Sequence, residues 1–185
     1  MGEKNNRVCP VERAGGLDSK IRKWIQNPKK ILRMYLREGM VALDLGCGPG
    51  FFSVEMAKMV GESGKVIAAD LQEGMLEKVK NKTQGTQIEK RIKLHKCIEE
   101  KIGITEKVDF VLAFYLLHEL PDQEKTLKEI KSVLKPNGIF YMVEPKYFRV
   151  SKQEFEESIK KAIKTGFKIV ERPKLFLSRA VVFKK

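Results

Sequence analysis

Apolar residues fall along this chain in short unbroken runs separated by stretches of helical spacing, the pattern of buried strands alternating with amphipathic helices. Val41, Ala42, Leu43 and Leu45 predict a first strand, ending at Asp44 to Gly46; residues 65–69 predict a second, closed by Asp70, and residues 91–96 a third. The run over 108–117 is almost wholly apolar, which suits a central strand covered on both faces. Residues 139–143, 167–171 and 180–183 supply three more. Between them, 51–60 places Phe52, Met56, Ala57 and Met59 or Val60 on one face and Ser53, Glu55 and Lys58 on the other. Met75 and Leu76 open a further helix, 123–133 and 154–165 have the same period, and Gly166 stops the last one. Spacing alone therefore predicts an alternating α/β domain.

The first strand runs into Gly46-Cys47-Gly48-Pro49-Gly50, and the three glycines lack the Cβ atoms that would hold a ligand away from the backbone. A strand, a tight glycine loop and a helix make the first half of a nucleotide-binding βαβ unit. The dinucleotide fingerprint needs a small residue where this chain has Phe51. The pattern Asp44-x-Gly46-x-Gly48-x-Gly50 instead resembles motif I of the class I S-adenosylmethionine-dependent methyltransferases. Asp70, with Leu71 and the Met75-Leu76 helix start, is similar to that family's ribose-binding motif. The segment 108–122 resembles its motif IV strand and turn, and Leu134-Lys135-Pro136-Asn137-Gly138 its turn before the fifth strand.

The likeness covers 39–185 and is nearest to the ubiquinone- and menaquinone-biosynthesis group. It implies a Rossmann-like, seven-stranded, mostly parallel sheet with helices on both faces and a C-terminal antiparallel hairpin. It also implies S-adenosylmethionine as cofactor and S-adenosylhomocysteine as product. The implied cofactor contacts are Asp44, Gly46, Cys47, Gly48 and Gly50 at the methionine end, and Asp70 on the ribose hydroxyls. Leu71, Cys97 and Ile98 would lie at the adenine, with Ala113 and Phe114 as the far wall. Relatives commonly carry an Asp-Ala pair at 97–98; Cys97 departs from it and leaves Ile98 as the apolar contact.

Composition narrows the acceptor. The chain has 185 residues and a formal net charge of +13, from 37 Lys and Arg against 24 Asp and Glu. That excess suits a polyanion or a solvated lysine-rich surface. The basic residues are scattered, however, and no aromatic series is interleaved with them. The Asp/Asn-Pro-Pro-Tyr/Phe segment of amino-methylating nucleic-acid enzymes is replaced by Ala113-Phe114-Tyr115-Leu116, and a Pro-Cys nucleophile is missing. A small-molecule acceptor is thus expected over nucleic acid. An RNA methyltransferase, a metalloid methyltransferase using Cys9, Cys47 and Cys97, and a non-catalytic cofactor-binding protein stand as alternatives. No metal-ligand spacing is visible, so no metal site is expected. The polar start and the lack of a span-length apolar run predict a cytoplasmic protein with free thiols.

Residues 1–38 form an expected lid or substrate segment, with Gly15-Gly16 as hinge and Trp24 and the helix around Ile31, Leu32 and Tyr35 above the sheet; the plainer alternative has Trp24, Ile25, Ile31 and Leu32 simply packing on it. His118, Tyr115 and Glu144 lie at strand ends on the expected cofactor edge and are the candidate catalytic residues. Histidines titrate near neutrality, which makes His118 the leading general base. In this family a histidine here also serves to cap the turn beside Asp122.

Overall fold

A computed structural model describes residues 25–98, 101–147 and 149–185. Its strands follow the apolar runs: β1 (Val41–Leu45), β2 (Lys65–Asp70), β3 (Ile92–Lys96), β4 (Val108–Phe114), β5 (Leu134–Pro145), β6 (Lys168–Glu171), β7 (Lys174–Leu175) and β8 (Ser178–Lys184). The helices are α1 (Pro28–Leu32), α2 (Ser53–Met59), α3 (Glu73–Thr83), α4 (Gln123–Val133) and α5 (Lys152–Lys164). The sheet order is β3-β2-β1-β4-β5-β8-β6, with β7 beside β8. β1 to β5 are parallel, and β8 is antiparallel to β5, β6 and β7.

The alternation of side chains explains why these strands read as continuous hydrophobic runs. Leu43, Ile67, Val111, Ala113, Phe140 and Met142 join one core cluster, which α4 covers with Leu127, Ile130 and Val133 and α5 with Phe155, Ile159 and Ala162. Their neighbours Ala42, Val66, Phe110, Leu112, Tyr141 and Val143 face the opposite layer, covered by Met56 and Ala57 of α2 together with Leu32, Tyr35 and Leu36. Both faces being dry, the central stretches 42–43, 66–69, 110–114 and 139–143 carry Tyr141 as their one polar side chain.

Helix ends obey local chemistry. The Asp122 side chain accepts from Lys125 N–H at the start of α4. Ser151 and Glu154 form a reciprocal capping box at α5, and Gly166 (φ +93°) ends it.

Four differences from the sequence-based expectation have identifiable causes. β5 starts at Leu134, inside the predicted turn, because Leu134 pairs with Val108 before a register shift lets Ile139 pair with Phe110. An eighth strand, β7, makes the tight hairpin with β8, whereas β6 pairs further along β8 through its own irregularity at Ile169/Glu171. Two residues are too few to leave a periodic signature. α2 begins at Ser53, so Phe51 and Phe52 belong to the glycine loop and are buried there. α1 stops at Leu32, and Tyr35 and Leu36 reach the core from the turn after it. Among the expected packing residues, Leu32 is buried and Ile31 partly buried against that core. Ile25 is half-buried, and residues 1–24 of the expected lid, including Cys9, Gly15, Gly16 and Trp24, fall outside the described residues.

Tyr141 tests the packing account. Its hydroxyl is buried with no hydrogen-bond partner among the described residues, and its ring meets Tyr35 edge-on at 4.9 Å. An unpaired buried hydroxyl costs about 1–3 kcal/mol, so Tyr141→Phe should leave stability unchanged or raise it by up to about 1 kcal/mol. Chemical denaturation of the two proteins measures this; a clear loss would mean that the hydroxyl has a partner.

Candidate active site

Reversal of strand order between β1 and β4 opens a crevice at their carboxyl ends, where α/β sheets bind ligands. A cavity of about 630 Å³ lies there. The glycine loop after β1, the β2–α3 and β3–β4 connections, and the segments that follow β4 and β5 contribute to its walls. Gly46 takes φ +69°, and a Cβ on it would come within 2.7 Å of Leu116 Cδ1, so glycine is required by both conformation and close approach.

The loop is tied to β2 through its own amides. Gly46 and Cys47 N–H groups both donate to Ala69 O (2.8 and 3.0 Å), and Gly48 N–H donates to Asp70 Oδ2 (2.9 Å). A phosphate cradle presents such amides to the ligand; here all three are turned to the protein. Asp70 Oδ1 accepts from Gln72 N–H at 2.9 Å. Burial pushes the Asp70 carboxyl above its ordinary range, against the stabilising amides of Gln72, Gly48 and Leu71. Asp44, also buried, accepts a 2.5 Å hydrogen bond from Ser53 Oγ at the start of α2.

Past β4 the wall becomes aromatic. Phe52 and Phe114 have ring centroids 4.3 Å apart, and Phe114 and Tyr115 4.5 Å. Tyr115 takes φ +61°, uncommon for a bulky residue, while its N–H donates to Val143 O (2.7 Å). Its hydroxyl accepts from Gln26 Nε2 and shares a hydrogen bond with Ser178 Oγ, each at 2.6 Å. That phenol is thus engaged in holding the Gln26 segment against β8. His118 Nδ1–H donates to Glu144 Oε2 at 2.6 Å, and its backbone N–H approaches Glu144 Oε1 at 3.3 Å.

Of the expected residues, Asp44, Gly46, Cys47, Gly48, Asp70, Leu71, Cys97, Ile98, Phe114, Tyr115 and His118 line the cavity. Gly50, Ala113 and Glu144 do not: Gly50 backs onto Val79, Ala113 is in the sheet core, and Glu144 reaches the cavity only through His118. Tyr147 and Arg149, just after β5, also line it and were not expected. The signal available was position, since both follow a parallel strand on the same edge as the other site residues. Among the described residues there is no cluster of His, Cys, Asp or Glu able to hold a metal ion, and no helix long and apolar enough to cross a membrane.

The family model for a methyltransferase domain matches residues 36–174. The chain belongs to the class I S-adenosylmethionine-dependent methyltransferases. A crystal structure of a SAM-dependent methyltransferase from Aquifex aeolicus superposes with a TM-score of 0.85 at 28% identity, covering 96% of this chain and 99% of that one. Demethylmenaquinone methyltransferases of Lactobacillus johnsonii and Staphylococcus aureus are 36% and 35% identical over 107 and 117 residues. Those matches cover 57% and 63% of this chain, which spans only 44% and 48% of the relatives' own lengths.

The family's cofactor suits what the cavity offers. A carboxylate has about four acceptor positions, more than the amides of Gly48, Leu71 and Gln72 occupy on Asp70, which leaves capacity for a ribose hydroxyl. Leu71 and Ile98 are exposed apolar side chains beside it.

The environment of the two cysteines of the site disfavours the thiolate. Burial pushes the Cys47 thiol well up, with Asp44 and Asp70 adding to the shift, and burial together with Asp70 and Glu129 raises Cys97 to about 12. Thiolate is the reacting form. At pH 8 both should alkylate at least about tenfold more slowly than an unstructured cysteine peptide, as peptide-resolved mass spectrometry would show. Alkylation at the peptide's rate would place them in a different environment.

Proposed function

We propose that this protein transfers a methyl group from S-adenosylmethionine to a small acceptor with a substantial apolar part. The observation that carries the reading is the continuity of the cavity: the same space runs from Asp70 and the glycine loop to the aromatic wall and His118. One end suits the cofactor, and the other is lined by Phe52, Phe114, Tyr115, Leu116 and Leu120, with His118, Glu119, Tyr147 and Arg149 among the polar groups of the same cavity. Relatives named demethylmenaquinone methyltransferases support an acceptor of quinone-like character.

Within this reading Asp70 fixes the ribose, Leu71 and Ile98 flank the adenine, and Asp44 with the carbonyl side of the glycine loop receives the amino-acid end. When bound, the cofactor supplies an already electrophilic methyl group. The protein's own task is then chiefly alignment and exclusion of water, which make a bimolecular step effectively unimolecular.

Asp70→Ala should weaken S-adenosylmethionine binding by about tenfold or more through loss of charge-assisted hydrogen bonds, measured by titration calorimetry. Because burial raises the Asp70 pKa, its carboxylate is neutralised on acidification at a higher pH than a surface carboxylate. Cofactor affinity should accordingly fall as pH drops through that raised value, and Asp70→Asn should remove this limb of the profile. An unchanged limb in the variant would assign it to another group.

The reaction itself is tested by transfer of labelled methyl from S-adenosylmethionine into a cell extract separated into small-metabolite, lipid, RNA and protein fractions. Label in the small-metabolite or lipid fraction is expected. Label confined to RNA or protein would overturn the acceptor class, and a chain that binds no S-adenosylmethionine would overturn the whole reading.

A further inference from the structure

Glu144 is 1% exposed at the carboxyl end of β5, and the imidazole of His118 is the cavity-lining group it holds. A carboxylate only accepts hydrogen bonds, so the ring gives its Nδ1 proton to Glu144 and carries its lone pair on Nε2. That Nε2 is buried and has no hydrogen-bond partner among the described residues. Structures seldom leave a buried polar atom unpaired, and each exception calls for an explanation. Among the described residues the charged group beside it is Glu119, whose Oε1 is 3.9 Å away, beyond hydrogen-bonding distance. Glu119 lines the cavity too, and its Oε1 is 3.5 Å from Arg149 Nη1 on an exposed side chain.

We propose that His118 is the proton acceptor of the reaction and that Glu144 is its positioning residue, fixing the ring in the tautomer that leaves Nε2 free for the methyl acceptor. The proposal rests on the methyltransferase reading above and narrows it to acceptors that lose a proton as they are methylated. The proton of the acceptor's X–H bond passes to Nε2 while the X–H electron pair stays on X. A bond forms from X to the methyl carbon in place of the carbon–sulfur bond, whose electron pair remains on sulfur. The positive charge so created on the ring lies between two carboxylates, Glu144 from β5 and Glu119 from the turn after β4. Arg149 opposes that field from the segment after β5, and Asp70 adds a more distant negative charge from β2. Glu119 stands beside the unpaired atom, and a small rotation of its side chain, held by the exposed Arg149, admits the acceptor.

The burial of Glu119 fits this geometry. Desolvation raises its pKa, against the pull of His118 and Arg149, so the carboxyl is partly protonated at a pH where a surface glutamate is not. In its ionised form such a carboxylate holds a proton more readily than a surface glutamate, so it can accept the ring's proton and release it to solvent between turnovers.

The test uses the full chain as wild type, Glu144→Gln and Glu144→Asp. The sequence has two histidines, so ring-nitrogen NMR resolves His118 from His95, whose Nε2 lies 2.6 Å from Ile102 O. Wild-type His118 should carry its proton on Nδ1. In Glu144→Gln the amide donates to Nδ1, and the proton should move to Nε2. Methyl transfer into the labelled extract fraction should then fall at least about a hundredfold in kcat, as expected when a base is held in the wrong tautomer. Calorimetric affinity for S-adenosylmethionine should stay within about twofold of wild type, which also reports that the variant is folded. Glu144→Asp should restore the Nδ1 tautomer and part of the rate. An Nε2-protonated ring in the wild type, or Glu144→Gln transferring methyl at the wild-type rate, overturns the proposal. Failure of the wild type to bind S-adenosylmethionine overturns the underlying methyltransferase reading instead, so the two failures are distinguishable.

Discussion

Three carboxylates, Asp44, Asp70 and Glu144, are buried at the carboxyl ends of three parallel strands, and the site exists only because each is supplied with donors there. Burying a charge without partners is prohibitively costly. The donors come from different elements: Ser53 from the helix after β1, Gly48 from the loop above it, Gln72 from the start of α3 and His118 from the turn after β4. Each bond therefore fixes a connection to the sheet as well as satisfying an oxygen. The elevated Asp70 pKa shows that the compensation is incomplete, since desolvation still outweighs its amide bonds. An incompletely satisfied carboxylate at a cavity rim has acceptor capacity left for a ligand hydroxyl.

The dry interior beneath is what lets so small a set of polar groups be decisive. From Ala42 to Leu45, Phe110 to Phe114 and Phe140 to Val143 the strands bury everything they carry on both faces, with Asp44 the only charged residue and Tyr141 the only aromatic hydroxyl among these stretches. Side chains in such a core have few alternative packings, so the strand ends are delivered as a rigid rim. Mobility, where the site needs it, is left to exposed side chains such as Arg149 and to the connections rather than to the scaffold.

Much of this was legible in the sequence because the relevant signals are local. A run such as Val108 to Phe114 has one reading once helices flank it, and Asp44, Gly46, Gly48 and Asp70 are separated by fixed, short intervals along a strand–loop–helix–strand path. What was not legible depends on contacts between distant residues. The pairing of Leu134 with Val108 lengthens β5 through a register shift that no period announces, and β7 is two residues long. Tyr115 looked like a candidate acid or base by position, yet its hydroxyl is engaged by Gln26 and Ser178, 89 and 63 residues away in the chain. Glu144 could be placed at the right edge, but its separation from the cavity by the His118 ring is a matter of side-chain direction.

The engagement of the loop amides bears on what kind of cofactor this edge can take. In a phosphate-binding βαβ unit the amides after β1 and the helix N-terminus present positive charge to the ligand. Here Ala69 O and Asp70 Oδ2 have already taken the Gly46, Cys47 and Gly48 N–H groups, and α2 starts with Ser53 turned to Asp44. Two buried carboxylates, Asp44 and Asp70, then flank the loop, while Lys82 Nζ donates to Pro49 O within it. A pyrophosphate would find those amides taken, whereas a sulfonium with an ammonium at its far end carries charge complementary to the two carboxylates. The discrimination between two cofactor classes that share one strand–glycine–helix pattern thus lies in where the loop's hydrogen bonds go. Phe51, the residue that breaks the dinucleotide spacing, fills the buried side of that same loop.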